Sequence, residues 1–268
     1  MPSVNSQTFR RLRFLKIHSP WSDIIKFLLV IAAFAWLLHR GTERLGYNWQ
    51  WHRLPKYLLS FEDGRIILGP LMEGLLVTLR ICSWSLLLAA LLGLVTALLR
   101  MSNSFVGRAL ARGYLELIRN TPLLVQLFLI YFVLAPVLGI GRFTAGVLAL
   151  SLFEGAYASE IFRAGIVSID RGQWEACHSL GLRAIDTYRY IILPQAIRRI
   201  LPPLTSQAVS LIKDSALVST IAIYDLTMQA EVIISETFLT FEVWFTVAAI
   251  YLVLTVMLST IADILAST

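Results

Sequence analysis

Long apolar runs separated by short basic segments organise this chain. Residues 243–262 carry no charge over twenty positions, residues 123–140 contain a single Gln, and residues 86–99 are interrupted only by Gly93 and Thr96. About 20 apolar residues cross the hydrocarbon core of a bilayer as a helix, and a helix bonds its own backbone where water is absent. The pattern therefore predicts an all-α fold, a polytopic transmembrane helix bundle of about six spans. They are expected at 24–38, within 71–99, and at 115–138, 143–166, 201–223 and 243–262. Pro202 and Pro203 suit the start of a helix but not its interior, so they mark the beginning of the fifth span. Trp21 and Trp36 are expected interfacial anchors of the first. "PKYLLSF" at 55–61 predicts a short surface helix.

The period changes at 173–196, "QWEACHSLGLRAIDTYRYIILPQA". Trp174, Cys177 and Leu180 fall three apart on one helical face, with Glu175 and Ser179 on another. Gly181 stops that helix in a left-handed C-terminal position. A second helix follows, with Leu182, Ile185, Tyr188 and Ile192 at helical spacing, and Pro194 ends or kinks it. An amphipathic hairpin between two spans either lies on lipid or docks in a groove of a partner. Periodicity leaves both open.

Composition excludes an ordinary soluble domain. The 268 residues are 57% hydrophobic and 15% charged, against about 25% charged in soluble domains. The net charge of +6 reads as topology rather than nucleic-acid affinity, because Lys and Arg collect in cytoplasmic loops. Basic residues gather before the first span (Arg10, Arg11, Arg13, Lys16), after the second (Arg100, Arg108, Arg112) and around the insert (Arg163, Arg171, Arg183, Arg189, Arg198, Arg199). Residues 225–241 hold none, and segment 40–68 dissents with five. The majority predicts a cytoplasmic basic tail at 1–23, an extra N-terminal transmembrane helix at 24–40, a periplasmic linker at 41–68, and a transmembrane domain at 69–268. Both termini and the insert at 170–196 fall in the cytoplasm. "AAFA" at 32–35 mimics a signal-peptide cleavage site, but the apolar run continues through it, so an uncleaved span is expected.

Enzyme signatures are sparse. No Gly-Lys pair occurs, so there is no P-loop, and no His-Glu-x-x-His is present. The four His are scattered, and Cys82 and Cys177 have no paired spacing. No catalytic residue and no metal site is expected.

The insert carries a motif. Membrane subunits of ATP-binding cassette importers contain a cytoplasmic Glu-Ala-Ala, three residues, Gly, nine residues and Ile-x-Leu-Pro. This chain reads Glu175-Ala176-Cys177, residues 178–180, Gly181, nine residues, and Ile191-Ile192-Leu193-Pro194; Cys177 replaces the second Ala. "ELIRNTPLLVQLFLIYF", "GAYASEIFRAGI", "LPQAIRRILPPL" and "LIKDSALVSTI" extend the resemblance to the polar amino-acid branch of that class, over roughly residues 70–268. The first span lies outside its shared core, commonly of five spans in a type I importer fold. The resemblance implies a permease subunit, without its own cofactor, of an ATP-driven amino-acid importer in a bacterial inner membrane. ATP and Mg would be bound by a partner ATPase subunit pair. A second permease subunit and a soluble periplasmic substrate-binding protein would complete the complex. Glu175, Ala176, Gly181, Leu182 and Pro194 would couple to the ATPase. A self-sufficient secondary transporter or channel is the alternative.

Charges inside spans suggest the path. A charge at mid-bilayer costs about 2.5–3.5 kcal/mol on insertion scales and normally faces a cavity or a partner. An amino-acid zwitterion offers both signs, so Lys213 and Asp214, with Glu154 and Gln126, are the substrate-path candidates, against a purely structural pairing of Lys213 with a carboxylate. Glu160 beside Arg163, and Glu116 three residues before Arg119, are expected local ion pairs.

Overall fold

The computed structural model describes residues 20–62 and 65–267; most of the expected basic tail at 1–23 lies outside them. The chain divides into two compact units, 1–49 and 50–268. The first contains α1 (Pro20–Leu45), whose apolar stretch, Ile24–Leu37, is shorter than the about 20 residues that cross a bilayer core. The Arg40 guanidinium lies 4.8 Å from the centre of the Trp36 ring.

The second unit opens with a single 3₁₀ turn at Trp51–Arg53, α2 (Pro55–Leu58) and a hairpin of β1 (Leu59–Glu62) and β2 (Arg65–Leu68), with Leu59 opposite Leu68. The helix expected over "PKYLLSF" thus ends at Leu58. A tertiary bond decides this: Gly69 N–H donates to the Leu58 carbonyl at 2.8 Å. Gly69 lies against the Tyr57 carbonyl, where a Cβ could not fit, so α2 is capped by the far end of the hairpin.

Next come α3 (Pro70–Met101) and α4 (Phe105–Arg119). A broken element follows, of α5 (Leu123–Phe128), a π-helical stretch at Leu129–Leu134 and α6 (Ala135–Leu138). After a left-handed Gly139 (φ 65°) comes α7 (Arg142–Val167), and the insert begins with α8 (Arg171–Ser179). Then α9 (Ala184–Asp186), a π-helical stretch at Thr187–Ile192 and α10 (Leu193–Asp214) run on into a 3₁₀ segment, Ser215–Ile221. The chain closes with α11 (Leu226–Thr237) and α12 (Thr240–Ser267).

Among the described residues, three helices are long and apolar enough to cross a membrane: α3, α7 and Thr240–Ile261 of α12. Two further crossings exist if each bent pair counts as one span: Phe105–Arg119 with Leu123–Leu138, bent by 107°, and Ala184–Ile221 with Leu226–Thr237, bent by 50°. The expected third span at 115–138 is therefore not one rod. Asn120, Thr121 and Pro122 break it, because the residue before a proline is pushed out of the α region. Gln126 secures the corner: its amide nitrogen, Nε2, donates to the carbonyls of Ile118 (2.7 Å) and Thr121 (3.0 Å).

The expected fifth span is corrected in the opposite sense. It does not begin after Pro202 and Pro203, which sit inside α10, and Pro194 does not end the helix before it. A proline lacks the N–H for its i−4 carbonyl and its ring collides with that carbonyl. The wide turn at Thr187–Ile192 relieves this ahead of Pro194, as the turn at Leu129–Leu134 does ahead of Pro136. Pro202 and Pro203 orphan the carbonyls of Arg198 and Arg199, two residues exposed at the insert end. The second arm of the insert and the fifth span are one continuous rod.

The bundle is built on α3 against α7. Ala89, Gly93 and Ala97 recur every fourth position and are buried, facing Gly155, Ala158 and Ser159. A Cβ on Gly93 would lie 2.8 Å from the Ala158 Cβ and 3.1 Å from the Gly155 carbonyl. In lipid, tails are as apolar as leucine, so association rests on such close packing and on hydrogen bonds between helices. Overpacking a tight contact costs about 1–3 kcal/mol. Gly93→Leu should lower the melting temperature of the purified protein and its folded yield. Gly113→Leu, where an added Cβ meets nothing within 4 Å, should leave both unchanged; equal effects would place the tight seam elsewhere.

Candidate functional site

The insert is built outward from a small apolar cluster. Ile166 and Ile169 at the end of α7 pack with Ile192, Ala196 and Ile200, and Trp174 of α8 covers them. Gly165 lets Ile200 approach so closely that no Cβ would fit. Asp170 caps α8 by accepting the Gly172 N–H at 2.6 Å, and Trp174 meets Tyr188 edge-on at 5.1 Å. Arg199 donates to the Ser168 carbonyl and hydroxyl. Cys177 is buried and Trp174 partly so, and the third residue of that stripe, Leu180, is 77% exposed.

Gly181 turns the chain as expected, at φ 68°. Its N–H donates to the His178 carbonyl at 3.0 Å, and the Leu182 N–H reaches the Cys177 carbonyl at 3.1 Å, the paired bonds of a Schellman end. Glu175, Ala176, Gly181, Leu182 and Pro194 are all exposed. Leu180, Ile185 and Tyr190 project beside them. The structure thus gathers the motif onto the outer surface of a hairpin whose inner surface is packed.

Deeper in the bundle, α7 and α10 bring three polar side chains together. Glu154 is buried, and Gln207 Nε2 donates to its Oε2. Its Oε1 is buried with no hydrogen-bond partner among the described residues. Asp214, half-buried, stands close enough to act on Glu154. Gln207 and Asp214 are seven apart and so share one face of α10. Of the four path candidates, Glu154 and Asp214 thus meet. Lys213 is exposed on the adjoining face of α10, near enough to bear on Asp214. Gln126 is elsewhere, in the corner after α4. Sequence reasoning missed Gln207, although its spacing from Asp214 was a usable signal.

Glu160 is paired more fully than expected. Arg163 holds Oε2 at 3.1 Å, while Arg100 of α3 and Arg119 of α4 reach Oε1. The expected Glu116–Arg119 pair gives way to this. Arg119 turns to Glu160, and Glu116 accepts from Asn120 Nδ2 at 2.8 Å. Two buried acids at the end of the bundle opposite the insert went unread. Asp225 caps α11 by accepting the Met228 N–H at 2.9 Å, and Glu242 accepts the Gln50 N–H at 2.6 Å.

Residues 89–268 match the family described as the binding-protein-dependent transport system inner membrane component. The chain belongs to this family. The glutamine transport system permease protein GlnP of Escherichia coli K12 is 40% identical over 192 residues, covering 70% of this chain and 88% of that protein. A crystal structure of an amino acid ABC transporter with histidines superposes with a TM-score of 0.69 at 42% identity, over 74% of this chain and 93% of that one. The MetNI methionine ABC transporter in an inward-facing conformation is 19% identical with a TM-score of 0.64, over 74% and 95%, a likeness of fold. The chain is an amino-acid ABC transporter permease with a type I importer fold.

The left-handed turn at Gly181 is a testable feature of this permease. An L-residue there costs about 1–2 kcal/mol, more for a β-branched side chain. Gly181→Val should accelerate amide exchange across 177–182 by about tenfold, the equivalent of about 1.4 kcal/mol. Gly181→Asn should fall between, since Asn tolerates that conformation. Unchanged exchange in the valine variant would mean the turn is not held this way.

Proposed function

We propose that this permease moves polar amino acids inward by alternating access, driven by ATP that a separate ATPase subunit pair binds with Mg and hydrolyses. The observation that carries the reading is the continuity of α9, the π-helical stretch and α10. One rod starts at Ala184, directly after the turn at Gly181, carries Pro194 of the motif, and reaches Gln207 about 35 Å and Asp214 about 45 Å from its start, at about 1.5 Å per residue.

The chemistry of the cluster fits a zwitterion. An α-ammonium presents three donors, and Glu154 Oε1 and the Asp214 carboxyl are acceptors without enough donors of their own. Lys213, one residue away, offers the opposite sign to a carboxylate. The Gln207 amide can serve a polar side chain, which makes glutamine a first ligand to test, given the relative above. Glu175, with Ala176, Gly181, Leu182 and Pro194, would dock in the ATPase. ATP binding would close that pair and draw the inserts together, and α10 would carry the motion to the cluster, opening it outward. Hydrolysis would reset it.

A second permease subunit, the same or homologous, and a soluble periplasmic binding protein complete the proposed assembly. The excess of basic residues in these segments supports a reading with the termini and the insert in the cytoplasm of an inner-membrane complex. Residues 41–68, with the hairpin, would then lie in the periplasm, and 24–40 would be an added span. A self-sufficient transporter or channel would leave the insert on lipid; purification without a co-eluting ATPase would favour it.

Uptake per assembled complex, over a panel of amino acids, tests the cluster. Glu154→Gln, Asp214→Asn and Lys213→Met should each assemble near normally and keep basal ATPase activity. Uptake should fall by tenfold or more, since losing one charged contact costs about 1.5–3 kcal/mol. Unchanged uptake per complex in all three would remove the cluster from the path. Glu175→Lys should instead weaken ATPase association while leaving amino-acid binding intact.

A further inference from the structure

A cleft of about 350 Å³ opens between α3, α4 and α7, lined by Arg100, Arg112, Leu115, Glu116, Arg119, Asn120, Tyr157 and Glu160. Glu154, Gln207 and Asp214 are not part of this lining, and Glu154 turns to Gln207 of α10, so the cleft is separate from the cluster proposed for the substrate. Its charge is not balanced. Arg100, Arg119 and Arg163 share the one carboxylate of Glu160. Arg112 is exposed and makes no ion pair among the described residues. Glu116, the other carboxylate in the lining, is engaged by Asn120. Arg119 also packs over the Tyr157 ring at 5.8 Å. Three guanidiniums thus line the cleft against two carboxylates, and Arg163 from outside the lining draws on one of them.

The helix that carries two of these arginines is divided by its 3.6-residue period into three faces. Gly107, Ala111, Leu115 and Ile118 are buried against the bundle. Arg108, Arg112, Glu116 and Arg119 follow the next strip. Val106, Leu110 and Leu117, each more than 60% exposed, form the third. Such a helix suits the boundary between acyl chains and headgroups, and lying there it would bring the cleft to the depth of phosphate. Guanidinium forks match phosphate oxygens in pairs, and a water occupies about 30 Å³ of liquid volume, so the cleft has room for a phosphate and its substituent.

We propose that this cleft binds a phosphate group, either in the headgroup of an anionic phospholipid or free in solution, with Arg112 as the contact left for it. The full-length chain, purified with its partners, is placed in bilayers of phosphatidylcholine with and without phosphatidylglycerol. Lipid retained per chain is then measured by native mass spectrometry. Wild type should retain phosphatidylglycerol over phosphatidylcholine, and Arg112→Gln should cut that retention about fivefold, the worth of one basic side chain at an anionic surface. Arg112→Lys should retain most of it, and Arg198→Gln, exposed and away from the cleft, all of it. Inorganic phosphate in detergent, against chloride at matched ionic strength, tests the free source. If it raises the melting temperature of wild type but not of Arg112→Gln, while lipid retention ignores Arg112, the site takes free phosphate. If neither readout depends on Arg112 the proposal is overturned. Should Arg112→Gln fold poorly, displacement of phosphatidylglycerol from wild type by inorganic phosphate serves instead, and its absence together with no lipid preference overturns the proposal equally.

Discussion

Helices α3 and α7 meet so closely at Gly93, Gly155 and Ala158 that a single added Cβ would have no room. Helices α4 and α10 gather around α7 once that contact is made, while α11 packs on α3, and α12 on α10 and α11. Ala156 receives α4 through Leu115 and Ile118, and the Tyr114 hydroxyl donates to the Leu152 carbonyl at 2.6 Å. On one face of α7, about three turns apart, Glu154 receives Gln207 and Gly165 admits Ile200 of α10. The remaining side, at Tyr157 and Glu160, is left open as the cleft. A helix with small residues on one side can thus be gripped there and keep its polar groups for the others.

The second constraint is the cost of polar groups away from water. Each acid inside the bundle has a distinct answer: Glu160 gathers three arginines, Glu154 takes an amide, Asp225 caps α11, and Glu242 holds the Gln50 N–H. Glu154 alone of these combines deep burial, an idle oxygen and a neighbouring carboxyl. That combination is poor as packing and apt for a cation, which is why the substrate reading centres on it.

Much of this was legible in the sequence. The apolar runs announced a membrane bundle, the change of period at 173 announced the insert, and Gly181 announced its turn. Misreadings came from rules that assume a regular α-helix. Pro194, Pro202 and Pro203 argued for a break, but a widened turn precedes Pro194, the residues whose carbonyls Pro202 and Pro203 leave unbonded are exposed, and the rod runs through. Conversely, the apolar window over 115–138 hid the corner that Asn120-Thr121-Pro122 makes. The spacing of Glu116 and Arg119 implied a pair, but Glu160 on another helix competes for Arg119, a contact no local spacing can show. Gln207 went unnoticed because an amide in a partly polar helix carries no charge to mark it.

The central claim is that α10 links the cluster around Glu154 to the exposed hairpin at Gly181. Linkage requires that two coupled sites change each other's affinity by the same factor. The direct measurement is amino-acid affinity of the complete transporter with its ATPase at rest and trapped with nucleotide, alongside nucleotide affinity with and without the amino acid. The account predicts equal factors in the two directions, both reduced toward unity by Gly181→Val. An amino-acid affinity indifferent to nucleotide, in a complex that still hydrolyses ATP, would contradict it.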